Sequence, residues 1–186
     1  MRFFVYICQT IQTDMKKIIL FISIFSSITF QAQWWLQVDS SSSDFGNFNL
    51  GIQHDGTLWA WGRNNYGQLS TGLGRTNFSI PIQIGTESNW KEISAGRYHT
   101  LAKKTTNQLF FIGACYGTQF SQPNAITTAT DWADFSASAY VDYAIKQNGS
   151  LWKWSHTAAA ASGVAQVGTA TNWSKVASSH GTSIEE

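Results

Sequence analysis

Apolar and polar residues alternate along this chain in short runs that end at glycine, asparagine or other turn-forming residues. One pass through the pattern contains four such runs, at residues 82–84, 90–95, 100–103 and 109–112. Short runs of this kind, bounded by turn residues, are typical of β-strands. The pattern therefore predicts an all-β chain.

The same landmarks return at a regular spacing. A tryptophan marks the first landmark, at Trp90, Trp132 and Trp173, with spacings of 42 (132 − 90) and 41 (173 − 132). A leucine that opens an apolar run marks the second, at Leu58, Leu109 and Leu151. About four strands in about 42 residues is the pattern of a propeller blade, so the spacing predicts about three four-stranded units.

Two further features support stacked blades. The runs Leu-Trp-Ala-Trp at 58–61 and Leu-Phe-Phe-Ile at 109–112 are apolar on both faces. Such strands fit sheets that are covered on both sides. The turn before each leucine contains Asp55-Gly56, Thr106-Asn107 or Asn148-Gly149. Asp-Gly and Asn-Gly predict type I′ hairpin turns, whose two central residues need positive φ.

The stretch DGTLWAWGRNNYGQLSTG at 55–72 resembles the repeat of the regulator of chromosome condensation family. Repeats of that family carry a Gly-x-Leu-x-x-Trp-Gly-like strand and an Asn-x-x-Gly-Gln-Leu-Gly-like loop, and SAGRYHTLA at 94–102 resembles their other hallmark segment. The resemblance implies a β-propeller fold, which has seven blades in that family. We assign residues 45–186 to such repeats. They form a partial propeller, incomplete at its C-terminus, which further repeats or another chain would complete.

We expect the repeat positions to be structural rather than catalytic. They are Gly56, Leu58, Trp59, Trp61, Gly62, Gly67, Trp90, Gly96, Leu101, Leu109, Gly113, Trp132, Gly149, Leu151, Trp152, Trp154 and Trp173. The tryptophans among them are expected to pack between blades, with binding to a sugar or a protein as the alternative. Trp34 and Trp35 fall outside the repeats, and His99 is expected to form a structural hydrogen bond.

Residues 1–32 have the pattern of a signal peptide. Lys16 and Lys17 precede the apolar run IILFISIFSSITF at 18–30, which is too short to span a membrane. A spanning helix needs roughly 20 apolar residues, although an uncleaved anchor stays open as the alternative. We therefore expect a secreted or cell-surface protein with no stable membrane span and a linker at 33–44. Met15 is an alternative start, because Asp14 beside the basic start is unusual.

Composition excludes several classes of function. Charged residues make up 12% of the chain and its formal net charge is +1, so no nucleic-acid partner is expected. The histidines form no closely spaced ligand pair, and no nucleophile-elbow sequence is present. We therefore expect no metal, no cofactor and no catalytic residue, and the protein is not predicted to be an enzyme.

The remaining class is a binding module for an unknown protein or glycan partner. Loops carry the specificity of such scaffolds, so the candidate binding segments are the variable connections 64–79, 117–122 and 155–163. The family resemblance implies one alternative function, guanine-nucleotide exchange on a small GTPase. Similar exported bacterial propellers imply another, inhibition of a secreted enzyme.

Overall fold

The computed structural model describes residues 34–41, 46–115, 118–155 and 163–178, and within these ranges the chain forms strands and turns without a helix. The predicted signal peptide lies outside the described residues. The strands are β1 (Trp35–Ser40), β2 (Phe48–Gln53), β3 (Leu58–Gly62), β4 (Phe78–Gln83), β5 (Trp90–Ala95), β6 (His99–Lys104), β7 (Leu109–Cys115), β8 (Thr118–Gln119), β9 (Asn124–Ala125), β10 (Trp132–Ser136), β11 (Val141–Lys146), β12 (Leu151–Ser155) and β13 (Ala165–Gln166).

These strands form three antiparallel sheets, which we call blades 1, 2 and 3. Blade 1 has the order β1-β2-β3-β4 and blade 3 the order β10-β11-β12-β13. In blade 2 the order is β5-β6-β7, and both β8 and β9 pair with β7. The prediction of an all-β chain of about three four-stranded units is confirmed.

The blades repeat one another in register. Trp90 pairs with Lys104 and Trp132 with Lys146, and in both blades the register shifts directly after the tryptophan. Trp35 pairs with Gln53 in blade 1 with the same shift. Trp35 is therefore the landmark tryptophan of blade 1, although it was predicted to fall outside the repeats.

Residues 33–44 also differ from the expected linker, because β1 occupies half of this range. The repeat is hidden in the sequence by a longer connection between β1 and β2. The separation from Trp35 to Leu58 is 23 (58 − 35), whereas the separation from Trp90 to Leu109 is 19 (109 − 90). The spacing rule alone could not recover this strand.

The hairpin turns are not of type I′. The Gly56 N–H donates to the Gln53 carbonyl at 2.9 Å, which closes a four-residue turn. Gly56 has a φ of 79°, whereas Asp55 is not among the described residues with positive φ. Only the last turn residue needs positive φ, as in loops that end in a G1 bulge. Asn107, with a φ of 61°, fills this position in blade 2.

Two buried clusters fill the spaces between neighbouring blades. The cluster between blades 1 and 2 includes Leu50, Leu58, Ile84, Trp90 and Ile112. The cluster between blades 2 and 3 includes Leu101, Leu109, Phe111, Trp132 and Trp154. Adjacent β7 residues belong to opposite clusters, because successive side chains of a strand point to opposite faces. The middle blade is thus buried on both faces.

One hydrogen bond recurs at each junction along the chain. The Ala95 N–H donates to Asp39 Oδ2 at 2.8 Å between blades 1 and 2, and the Ala137 N–H donates to Ser94 Oγ at 3.0 Å between blades 2 and 3. The Ser178 N–H likewise donates to Ser136 Oγ at 2.9 Å. The segment 171–178 therefore packs against blade 3 in the same way that β5 packs against blade 1 and β10 packs against blade 2.

Because neighbouring strands are antiparallel, successive connections lie at opposite ends of the blades. We call one end the loop rim; it carries the β1–β2, β3–β4, β5–β6, β10–β11 and β12–β13 connections and the one after β7. We call the other the turn end; it carries the β2–β3, β6–β7 and β11–β12 turns. The described residues of the three segments predicted to bind a partner lie toward the loop rim.

Candidate functional site

The first half of the β3–β4 loop is a buried structural element of the rim. Asn64 Oδ1 accepts the Leu69 N–H at 3.0 Å, and Asn64 Nδ2 donates to the Gly74 carbonyl at 2.9 Å. Gln68 Oε1 accepts the Tyr66 N–H at 2.9 Å. Both amide side chains are fully buried. The Asn-x-x-Gly-Gln-Leu pattern therefore fixes the loop in one shape, because its polar side chains satisfy the loop's own backbone.

Ser70 ties this loop to blade 2. Its Oγ donates to the Phe120 carbonyl at 2.8 Å and accepts the Gly113 N–H at 2.6 Å. A Cβ at Gly113 would lie 2.6 Å from the Tyr98 carbonyl oxygen, so glycine permits this close approach. Of the predicted binding segment 64–79, only residues 65–66, 72–77 and 79 are well exposed.

Arginine and tyrosine side chains from three blades form a continuous array on the loop rim. The Arg63 guanidinium carbon lies 6.0 Å from the Tyr66 ring centroid, and Tyr66 meets Tyr98 edge-on at 5.0 Å. The Arg97 guanidinium carbon lies 5.1 Å from the Tyr98 centroid and 5.7 Å from the Tyr140 centroid. Arg97 also donates a hydrogen bond to the Tyr140 hydroxyl at 2.8 Å. We call these five residues the rim array.

The rim array is assembled from loops that are distant in sequence. Arg63 and Tyr66 belong to the β3–β4 loop of blade 1, Arg97 and Tyr98 to the β5–β6 loop of blade 2, and Tyr140 to the β10–β11 loop of blade 3. Tyr66 is 41% exposed and Tyr140 is 43% exposed. Sequence reasoning missed the array because no local motif joins these residues; the available signal was Arg-Tyr at 97–98 in the second hallmark segment.

The other two predicted binding segments are only partly described. In the segment 117–122 the Phe120 ring packs edge-on against Phe111 with centroids 5.7 Å apart, so this residue supports blade 2. In the segment 155–163 only Ser155 and Gly163 lie within the described residues.

The two ends of the molecule differ in charge. Arg63, Arg75 and Arg97 lie in loops of the rim, and the described loop residues there include no Asp or Glu. The sequence places one carboxylate, Asp44, in the undescribed part of the β1–β2 connection. Asp39 and Asp142, on strands near the rim, accept backbone N–H groups.

Acids and lysines pair at the turn end. Lys104 Nζ lies 2.6 Å from Glu87 Oε1 and 4.9 Å from the Trp90 ring centroid. Lys146 repeats the arrangement in blade 3, 3.1 Å from an Asp131 oxygen and 5.1 Å from the Trp132 centroid. Each lysine is thus held between a carboxylate and the landmark tryptophan of its own blade.

A buried histidine–aspartate contact joins blades 2 and 3. His99 Nε2 lies 3.1 Å and 3.0 Å from the two carboxylate oxygens of Asp142, and both side chains are fully buried. The His99 ring stacks on Phe111, and Asp142 Oδ1 accepts the Ser138 N–H at 3.0 Å. The hydrogen bond expected of His99 is present, and it ties one blade to the next.

The predicted repeat positions occupy three kinds of environment. Buried positions are Leu58, Gly67, Trp90, Gly96, Leu101, Leu109, Gly113, Trp132, Leu151 and Trp154. Half-buried positions are Gly56, Trp59, Trp61, Gly62, Gly149 and Trp152. Trp173 is 46% exposed and so differs from the predicted packing between blades, because the described residues form no further sheet beyond it.

No group of three or more His, Cys, Asp or Glu side chains among the described residues could hold a metal ion. Within the same ranges, no helix has the length and hydropathy needed to cross a bilayer.

Comparison with known proteins agrees with the geometry of the blades. The sequence model of the regulator of chromosome condensation (RCC1) repeat matches residues 55–102. The chain carries an RCC1 repeat. In the structure this repeat runs from the first hairpin turn to strand β6, so it joins blade 1 to blade 2 and includes the whole β3–β4 loop.

Three solved structures with low sequence identity share this fold. The human WBSCR16 structure is 16% identical with a TM-score of 0.56, over 68% of this chain and 35% of that one. Prp20p from Saccharomyces cerevisiae is 18% identical with a TM-score of 0.55, over 69% and 32%. Yeast RCC1 in its complex with Kap60 is 19% identical with a TM-score of 0.54, over 75% of this chain and 36% of that one. The chain spans about a third of the length of these structures, and the resemblance to RCC1 propellers is confirmed.

Proposed function

We propose that this protein is a non-enzymatic module that binds a protein partner through its loop rim. The rim array carries the proposal, because tyrosine and arginine are enriched among the residues that contribute most to protein–protein binding. Each member of the array contacts the next. The side chains therefore lose less conformational freedom when a partner binds.

The scaffold beneath the array supports this role. The β3–β4 loop that carries Arg63 and Tyr66 is held by the buried amides of Asn64 and Gln68, and Ser70 joins it to blade 2. A loop fixed in this way presents its exposed side chains in one arrangement. Binding residues on loops above a rigid framework are a common design of recognition domains.

Similar structures support a protein partner rather than a glycan. The structure of Prp20p is described with binding to Gsp1p and histones, and yeast RCC1 was solved with Kap60. We propose that this chain also binds a protein, although its partner need not resemble theirs. No described residue favours nucleotide exchange or inhibition of a secreted enzyme over simple binding.

We propose that binding takes place outside the cell or at its surface. The support is the sequence pattern of residues 1–32, in which Lys16 and Lys17 precede the apolar run at 18–30. Fractionation of cells that express the full chain tests this part separately. Recovery of the protein only from the cytoplasm would contradict it.

The binding proposal is tested with the tagged full chain as bait, in quantitative cross-linking capture from its host. We expect Tyr66→Ala combined with Tyr140→Ala to lower the recovery of the captured protein at least tenfold. The matched control is Leu36→Ala with Ile80→Ala, because these side chains are 56% and 71% exposed outside the rim array. Thermal melts establish that both double variants fold. Equal recovery by the wild type and the tyrosine variant would contradict the proposal.

A further inference from the structure

We propose that the rim array selects an acidic polypeptide segment, in which Asp or Glu side chains alternate with residues that can pack on tyrosine. This inference rests on the proposed function and adds the chemistry of the partner. The geometry points to it through the separation of charge between the two ends of the molecule and through the order of side chains in the rim array.

The arginines and lysines of the described residues occupy different places. Arg63, Arg75 and Arg97 all lie in loops of the rim. The lysines lie on strands or in the segment after blade 3, and most of them pair with a carboxylate: Lys91 and Lys103 with Glu92, Lys104 with Glu87, Lys146 with Asp131, and Lys175 with Asp134. The arginines of the described residues therefore all lie at the rim.

Carboxylates near the rim are committed to the fold. Asp39 Oδ2 accepts the Ala95 N–H at 2.8 Å, and Asp39 Oδ1 accepts the Ser40 N–H at 2.8 Å. Asp142 is fully buried against His99. The described loop residues of the rim add no further acid. A ligand that approaches the rim therefore meets a surface whose described charged side chains are arginines.

Guanidinium groups favour carboxylate ligands in this setting. The guanidinium group is planar and can donate two parallel hydrogen bonds to one carboxylate. The contact of Arg63 with the Tyr66 ring, and of Arg97 with the Tyr98 and Tyr140 rings, restricts the motion of each guanidinium group before a ligand arrives. Tyr66 and Tyr140 are 41% and 43% exposed, so their rings offer apolar surface to the side chains that separate the acids of an extended peptide.

The same observations favour a polypeptide over a nucleic acid. Affinity for a phosphate backbone comes from Lys and Arg contacts to many phosphates, about 6–10 in strongly salt-dependent binders, whereas the described loop residues of the rim contain three arginines and no lysine. The formal net charge of +1 gives no broad attraction for a polyanion. A few arginines interleaved with tyrosines match a short acidic segment better.

A random dodecapeptide display library, selected on the full-length protein, tests the inference without prior choice of ligand. We expect the fraction of Asp and Glu in the selected peptides to be at least twice that of the input library. With Arg63→Ala combined with Arg97→Ala, the fraction should return to the input value. The matched control, Lys91→Ala with Lys175→Ala, removes the same two charges away from the rim and should keep the enrichment.

The remaining outcomes would overturn the inference. Peptides with the acid content of the input library, or no enrichment at all, would show that the rim does not select carboxylates. Binding of a single-stranded twelve-nucleotide DNA more tightly than the selected peptides, with loss in the arginine variant, would assign the rim to nucleic acid. Enrichment of neutral peptides that disappears in the double variant Tyr66→Ala with Tyr140→Ala would contradict only this inference and leave the proposed function intact.

Discussion

Two of the four landmark tryptophans, Trp90 and Trp132, lie between two blades. The other two, Trp35 and Trp173, lie on the outer faces of the first and last described blades. Trp90 is 2% exposed and Trp132 is 1% exposed, whereas Trp35 is 37% exposed and Trp173 is 46% exposed. The middle pair has a sheet on each side. Among the described residues, the outer pair has a sheet on one side only. The local sequence is similar at all four positions, so the neighbouring blade decides whether the ring is buried.

The outer tryptophans keep the backbone pattern of the repeat without its packing. The Trp173 N–H donates to the Gly149 carbonyl at 3.1 Å, as the Trp90 N–H does to the Gly56 carbonyl. In blade 1, Trp35 packs against Trp61 with centroids 5.5 Å apart and covers Gly51. Repeat geometry is therefore local, whereas the burial of the ring, and the stability that burial adds, depend on the contact with a neighbouring unit.

The largest difference in stability is expected when the indole ring is removed from a buried and from an exposed landmark tryptophan. We expect Trp132→Ala to cost about 3–5 kcal/mol in the free energy of unfolding, because it leaves a cavity between blades 2 and 3. Trp173→Ala should cost about 1 kcal/mol or less, since the ring is half exposed. Urea denaturation of the two variants measures both values, and equal losses would break the comparison.

A polar contact at the interior junction should also outweigh one near the edge. We expect His99→Ala to cost about 1–3 kcal/mol, because the fully buried Asp142 loses a hydrogen-bond partner. Lys175→Ala removes an ion pair with Asp134 in which the lysine is 85% exposed, and it should cost about 0–1 kcal/mol. Urea denaturation measures both changes in the free energy of unfolding, and a larger loss for Lys175→Ala than for His99→Ala would refute the expectation.

Two glycines sharpen the comparison at a smaller scale. Gly56 and Gly74 have φ values of 79° and 75°, so alanine suffers similar backbone strain at both. A Cβ at Gly56 would lie 2.3 Å from the carbonyl oxygen of Ser88, in the connection between β4 and β5. A Cβ at Gly74 would meet nothing within 4 Å. We expect Gly74→Ala to cost about 1 kcal/mol and Gly56→Ala clearly more. Equal melting temperatures for the two variants would show that the junction tolerates the added methyl group.

The smallest expected effect concerns acid and the hairpin turn of blade 1. The side-chain hydrogen bond from Thr57, followed by the Thr57 backbone bond, lowers the pKa of Asp55 below its ordinary value of 3.8. A carboxyl group with a lowered folded pKa stabilises the fold above the unfolded pKa. This contribution disappears as the pH falls through the folded pKa. The turn of blade 1 should therefore weaken below pH 3.8.

Blade 3 provides the matched control for this acid effect. Asn148 Oδ1 accepts the Ser150 N–H and hydroxyl in the same geometry, and it does not titrate. We expect Asp55→Asn to reduce the loss of melting temperature between neutral pH and pH below 3.8, and Asn148→Asp to increase it. Identical acid profiles for both variants and the wild type would remove Asp55 from the explanation.

The fold could be predicted from the sequence because its signals are periodic. Trp90 and Trp132, each followed by a leucine at the same separation, mark the blades, and the Leu-Phe-Phe-Ile run predicts burial on both faces. Trp35 escaped the rule because its connection to Leu58 is longer. The type I′ prediction for Asp55-Gly56 failed because sequence pairs do not distinguish a two-residue turn from a turn that ends in a bulge.

The candidate site could be predicted only in outline. Its location in the β3–β4 loop follows from loop length, yet half of that loop packs through Asn64, Gln68 and Ser70. The remaining contacts join Tyr66 to the Arg97-Tyr98 pair, which belongs to the next blade. Near-neutral composition also concealed the arginines at the rim, since a net charge sums over surfaces that face in different directions.

The sequence by itself determined the repeat, because the period of strands and turns depends on neighbours along the chain. It also determined where glycine or asparagine provides positive φ at Gly56, Asn107 and Gly149. The tertiary structure alone decided which tryptophans are buried, that His99 meets Asp142, and that arginines and tyrosines of three blades meet on one rim. These features depend on how blades stack, and contacts between blades join residues that are far apart in sequence, beyond the reach of any local pattern.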